Sequence, residues 1–153
     1  MSSLIEVVFE SIPKKNAAKA LIMLINDSRK IISTQCSETI ELANNEFDLS
    51  KINSILDFKS DLSISINLSE ISIGDIIIPN VLLRLVKYND QYDIDFNFDI
   101  KEVDNKNFIE KLHHHIIEIA KNYNIAIFFC GLEPASDAGT RYFTNSNLGP
   151  LSS

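Results

Sequence analysis

Tryptophan is absent from this chain, and glycine, proline and cysteine are scarce: four, four and two in 153 residues. So few glycines leave little room for a phosphate-cradling loop, and no Walker loop, dinucleotide turn or GxSxG elbow occurs. Cys36 and Cys130 lie far apart, without CxxC or Cys/His ligand spacing. A disulfide framework and a zinc centre are therefore not encoded, and reduced, packed thiols are expected. Positive charge is also short, with 14 Lys and Arg against 21 Asp and Glu, a formal net charge of -7. Phosphates need a basic footprint, so direct nucleic-acid binding is not expected; a basic partner suits the balance better. No apolar run is long enough to span a bilayer, and MSSLIEVVFESIPKK has no basic head before its apolar part, which carries Glu6. Neither an export signal nor membrane association follows, and a cytoplasmic address is expected.

What is present is the patterning of one ordinary globular domain spanning residues 1–153. Leu4 to Phe9 is a short β-rich run broken by Pro13. Asn16 to Ser28 has helical spacing at Ala17, Ala20, Leu21, Leu24 and Ile25, with Asn16 as its cap. Ile31 to Leu42 favours a strand or loose hairpin. Asp48 caps a short helix through Phe58, with Leu49, Ile52, Ile55 and Leu56 on one face. Leu62, Ile64, Ile66 and Leu68 alternate with polar residues, the period of a half-buried strand. A second run, Ile71 to Ile78, is interrupted at Gly74-Asp75 and stopped by Pro79. Val81–Tyr88 and Tyr92–Ile100 flank a hairpin turn at Asn89-Asp90-Gln91. Only an even-numbered loop puts Leu83 and Leu85 on the face of Phe96 and Phe98; an odd one sets Arg84 among the phenylalanines. Asn105 caps the strongest helix, Lys106 to Tyr123, whose stripe is Phe108, Ile109, Leu112, Ile116, Ile119, Ala120 and Tyr123. A buried strand Ile125–Cys130, a polar loop, a strand Thr140–Thr144 and a loosely held tail close the chain. The fold class is α+β, a two-layer arrangement of a mixed, mostly antiparallel sheet with two or three helices packed on it.

Three groups of residues could carry chemistry. His113, His114 and His115 are adjacent on a helix, where successive side chains diverge by about 100°. They cannot close on one ion, so boundary histidines are expected and no metal site. Cys130 ends an apolar strand and reads as packing. Tyr92 to Asp104 is different. With Tyr92, Ile94, Phe96, Phe98 and Ile100 facing the core, Asp93, Asp95, Asn97 and Asp99 line the other face, with Glu102 and Asp104 beyond. Aspartate is disfavoured in strands and like charges two apart repel. Such a row either discourages edge pairing or meets a cationic groove.

The third group is the segment GLEPASDAGTRYFT, Gly131 to Thr144, a polar, turn-rich loop leaving a buried strand. Glu133, Asp137 and Arg141 are spaced four apart and form either an ion pair that holds the turn or, in an enzyme, a general base and an anion clamp. No second convergent cluster supports catalysis. A small hydrolase or transferase centred on residues 131–144 is the alternative reading. An adaptor or chaperone would need a large exposed apolar patch, which the sequence does not clearly offer.

With its acidic balance, its AT-rich-genome composition and the tail GLEPASDAGTRYFT, the chain resembles the immunity proteins of bacterial contact-dependent growth inhibition, mainly over its last third. The resemblance implies a cytoplasmic protein without catalytic activity or cofactor that binds and blocks a cognate secreted nuclease toxin, often one that cuts tRNA. The residues expected to meet the toxin's basic cleft are Asp93, Asp95, Asp99, Glu102 and Asp104, joined by Glu133, Asp137 and Arg141. The pattern specifies no oligomeric state.

Overall fold

The computed structural model describes residues 4–38, 48–103, 107–132, 139, 141–145 and 149. Eight strands form one sheet: β1 (Leu4–Glu10), β2 (Ser28–Cys36), β3 (Leu62–Ile73), β4 (Ile76–Ile78), β5 (Val81–Tyr88), β6 (Gln91–Asp99), β7 (Ile127–Leu132) and β8 (Arg141–Thr144). Their order is β2-β3-β5-β6-β1-β7-β8, with β4 paired to the far end of β3. Every pairing among the described residues is antiparallel. Helices α1 (Lys14–Asn26), α2 (Leu49–Leu56) and α3 (Phe108–Asn122) complete the α+β fold.

Alternation decides which face the helices cover. Ile5, Val7 and Phe9, Ile64 and Ile66, Leu83 and Leu85, Ile94, Phe96 and Phe98, and Cys130 are at most 1% exposed and point to one side. The α1 surface of Ala17, Ala18, Ala20, Leu21 and Leu24 lies against them, its small residues letting the helix approach β6, β2 and β3 closely. Phe108 of α3 meets Phe98 edge to face at 5.7 Å. The even-loop expectation holds: Asn89 and Asp90 form a two-residue turn, both with positive φ (48° and 61°), and Tyr88 pairs with Gln91. That backbone twist suits a hairpin and is one asparagine and aspartate tolerate. Leu83 therefore faces Phe96, and Leu85 faces Ile94.

Polar devices fasten each helix. Asp48 caps α2 as expected, accepting from the Lys51 N–H at 2.7 Å. At the other end of α2, the buried Lys87 ammonium donates to the Leu56 carbonyl (3.1 Å) and to that of Phe58, and the Tyr92 hydroxyl also donates to Leu56. A buried cation is thus matched to the negative end of a helix. Asn16 does not cap α1. The helix starts earlier, behind Pro13, and Asn16 lies buried in its first turn, donating to the Tyr123 carbonyl at 2.9 Å. The loss of a cap is offset by a link between α1 and the end of α3.

The histidines diverge. His113 stacks on Phe143 at 4.2 Å and reaches the Thr144 carbonyl, His114 is exposed, and His115 bonds Asp75 at 2.6 Å. Lys111 joins the same carboxylate at 3.3 Å, and together the two hold the Asp75 carboxyl below its usual range. His115 lies directly on Gly74, where a Cβ would come within 2.0 Å of the ring and φ is +59°, so only glycine fits.

Other boundaries differ from expectation: the strand expected from Ile31 begins at Ser28, where the first helix was expected to end, and β2 closes at Cys36. Ile100 leaves the strand and opens a short 3-10 turn through Glu102, because Asp99 accepts the Lys101 N–H at 2.9 Å and bends the chain. The strand expected at Ile125–Cys130 runs Ile127–Leu132 instead, since Ile125 is buried in the turn after α3 while Ile127 faces outward. The run at Ile71–Ile78 is the end of β3 turning at Gly74-Asp75 into β4. Asn105, proposed as a cap for α3, lies outside the described residues. No helix among the described residues is long and apolar enough to cross a membrane.

Candidate functional site

The second face of the sheet carries none of the three helices, and strand register arranges its side chains in rows. One row runs Gln35, Ser65, Arg84, Asp95, Val8, Phe129, Thr144. The next runs Ser33, Asn67, Leu82, Asn97, Glu6, Gly131, Arg141. In these two rows the β2–β3 half carries only hydroxyl and amide groups, with Lys30 beyond them opposite Ser69; the half built on β5, β6, β1 and β7 holds the carboxylates. There Glu6, Val8, Glu10, Arg84, Val86, Asp93, Asp95 and Phe129 line an open hollow of about 330 Å³.

β6 places Asp93, Asp95 and Asp99 on this face together, as its alternation predicts. They are not equivalent. Asp95 is only 5% exposed, and Arg84, its cross-strand neighbour, covers it, donating from Nε at 3.1 Å and Nη2 at 2.9 Å to one carboxylate oxygen. Asp95 therefore organises Arg84 and presents little charge itself. Asp93 is half-buried and accepts the Ser11 N–H at 2.8 Å. Asp99, opposite Leu4, caps the 3-10 turn, while exposed Glu102 accepts from Asn80 at 3.0 Å. Both line a second hollow of about 300 Å³ with Asn80, Asn97 and Leu82. Arg141 of β8 lies over the Phe129 ring, 4.6 Å from its centroid. Asp104, Glu133 and Asp137 lie outside the described residues.

The sequence reading missed Glu6 and Glu10 of β1. Register puts Glu6 beside Asn97 and Val8 beside Asp95, so β1 supplies two more carboxylates to the same hollow. Leu4, Glu6, Val8 and Glu10 do alternate with Ile5, Val7 and Phe9, which marks a face. Which strand lies alongside is set by contacts some ninety residues away in sequence, and alternation carries no such information. Cys130 is fully buried on the helix side, and burial pushes its thiol far above the ordinary range, so it stays protonated.

Comparisons with known proteins place the chain in a family. The family model described as PABL017 Cdi1I immunity protein matches residues 3–148. A solved chain from the crystal structure of the toxic C-terminal tip of CdiA from Pseudomonas aeruginosa in complex with immune protein is 31% identical, with a TM-score of 0.86 and 99% of each chain covered. The Pseudomonas aeruginosa T6SS protein PA0821 is similar only at 10% identity and a TM-score of 0.49, over 87% of this chain and 42% of that one, too distant to inform function. No curated protein matches. The likeness drawn from the tail thus extends along nearly the whole sequence: the chain belongs to the PABL017 Cdi1I immunity protein family.

Proposed function

We propose that this chain neutralises the toxin domain of its own contact-dependent growth inhibition system by binding it, without turning over a substrate. The toxin is a nuclease acting on tRNA, and the helix-free sheet face seals its basic substrate cleft. One observation supports this reading above others. Glu6, Glu10 and Asp93 gather, with the mutually paired Arg84 and Asp95, around one hollow on a face that none of the described helices covers. Such a face would repel phosphate and attract the Lys- and Arg-rich surface that an RNA-cleaving site requires. Apolar Val8, Val86 and Leu82 lie between the charges, as in an interface core bounded by a polar rim.

The magnitudes set what each residue contributes. A rim carboxylate that keeps its water is worth about 0–1 kcal/mol. One desolvated against a partner's cation costs about 2–5 kcal/mol to truncate, much of it the penalty on the charge left behind. Binding therefore depends on the few carboxylates that the contact dehydrates, and the remainder speed the encounter. A catalytic role for Arg141 is less well supported, because its guanidinium is engaged with the Phe129 ring and packs β8 onto β7.

The test is a titration of the toxin domain encoded beside this chain, with tRNA cleavage as the readout. Cleavage should stop at equimolar immunity protein. Inactivation by a small fraction of an equivalent would instead show turnover, and a complex that continued to cleave would rule out a sealed cleft.

A further inference from the structure

At the hairpin end of the open face stands a side chain that charge alone does not explain. Tyr88 is the last residue of β5, 40% exposed on the face without helices. The other tyrosine of the hairpin, Tyr92, is 6% exposed and serves the core by bonding α2. Tyr88 has no such duty. Strand register sets it diagonally across from Asp93 on the same face, and the charges of Asp93 and, less strongly, Glu10 raise the phenol's pKa. Asp93 is itself fixed by the Ser11 N–H. An exposed aromatic ring thus shares a face with Val86 and the Asp93 and Glu10 carboxylates of the hollow.

The same face already handles guanidinium groups in two ways. Arg141 stacks over the Phe129 ring, and Arg84 forks onto the Asp95 carboxylate through two nitrogens. The Tyr88 corner offers both contacts at once, a ring face and carboxylates. An ammonium could use the charge, but only a planar guanidinium can stack and fork together. Tyrosine and arginine are also the residues in which interface binding energy concentrates.

We infer that Tyr88, Asp93 and Glu10 form the seat for an arginine of the toxin, its guanidinium stacked on the Tyr88 ring and bonded to the carboxylates, its methylene stem along Val86. The inference rests on the proposal that the toxin docks on this face. It makes Tyr88 an anchor of the interface, where the acidic residues alone would give only a diffuse attraction.

Affinity of the full chain for the toxin domain, with thermal unfolding recorded for every variant, tests it. Tyr88→Ala should weaken binding about 10- to 50-fold, mainly through faster dissociation, while Tyr88→Phe keeps the ring and stays within about 3-fold of the parent. One arginine of the toxin, changed to Lys, should reproduce the Tyr88→Ala loss and add little to it in combination. If Tyr88→Ala binds like the parent while Glu10→Gln with Asp93→Asn binds weakly, the seat is wrong and the docking face stands. Equal losses for Phe and Ala would replace the stacked cation with a hydroxyl contact and overturn the inference. If neither Tyr88→Ala nor the carboxylate pair weakens binding, the docking face itself fails.

Discussion

Strand β6 shows two chemistries on one backbone. Tyr92, Ile94, Phe96 and Phe98 point under the helices and are buried, while Asp93, Asp95, Asn97 and Asp99 point to the face the helices leave open. The first set closes a core with β1, β5 and β7. The second meets Glu6, Glu10 and Arg84 across the strands. Each covered residue is fixed by shape, so any loss is paid in folding. On the open side the residues are arranged by charge, and the Arg84–Asp95 pair is matched within the fold. With the proposed docking face, stability and recognition are separated by a single residue step along the chain, and changes on the two sides should have separable consequences.

The most damaging change is expected on the covered side. Phe96→Ala should cost about 3–5 kcal/mol in denaturant unfolding, because a buried ring leaves a cavity between β6 and α1. The folded fraction should still bind toxin normally, and a binding loss beyond the unfolded fraction would break the comparison. On the open side, Asp95→Asn should cost less, about 1–2 kcal/mol, since Arg84 is partly in water and can rehydrate. A larger loss would mean that Asp95 belongs with the core. Asp48→Ala, which removes the exposed α2 cap, should cost about 0.5–1 kcal/mol and leave affinity unchanged.

The smallest effects are chemical and pH-linked. A thiol reagent should modify Cys36 in the native protein and reach Cys130 only on unfolding, as judged by mass. The folded Cys130 pKa is raised, so its contribution is complete below the ordinary thiol range and falls as pH climbs through it, when only the unfolded thiol ionises. Asp75 has the opposite sign. Its folded pKa is lowered by His115 and Lys111, so the clamp on the β3–β4 turn is present above the usual carboxylate range and is lost as pH falls through the folded value. Unfolding of Asp75→Asn against pH should show a shallower acid limb than the parent.

Much of the covered side was legible in the sequence because periodicity is a local property. The apolar stripe of α3, the Asp48 cap and the parity of the Asn89-Asp90 loop all follow from neighbours within a few residues. Asn16 misled because a cap and a buried amide look alike until the end of α3 is known to lie against it. The open face was half legible. Alternation on β6 gave its aspartates, but not that Arg84 covers Asp95, nor that β1 comes alongside with Glu6 and Glu10. Those facts depend on which strands are neighbours, and the β1–β6 pairing joins the two ends of the sequence's first hundred residues. Tyr88 was visible as a strand residue, yet its role emerges only once Asp93 and Glu10 stand beside it.

The central claim, that the toxin meets the helix-free face through its carboxylates, is tested most directly by association rates at low and high salt. Two charge-matched proteins are compared: Glu6→Gln with Glu10→Gln on the open face, and Glu110→Gln with Glu118→Gln on the exposed side of α3. The open-face protein should associate at least about 5-fold more slowly at low salt and lose much of its salt dependence, while the α3 protein behaves like the parent. Equal slowing of both, or slowing of the α3 protein alone, would contradict the account.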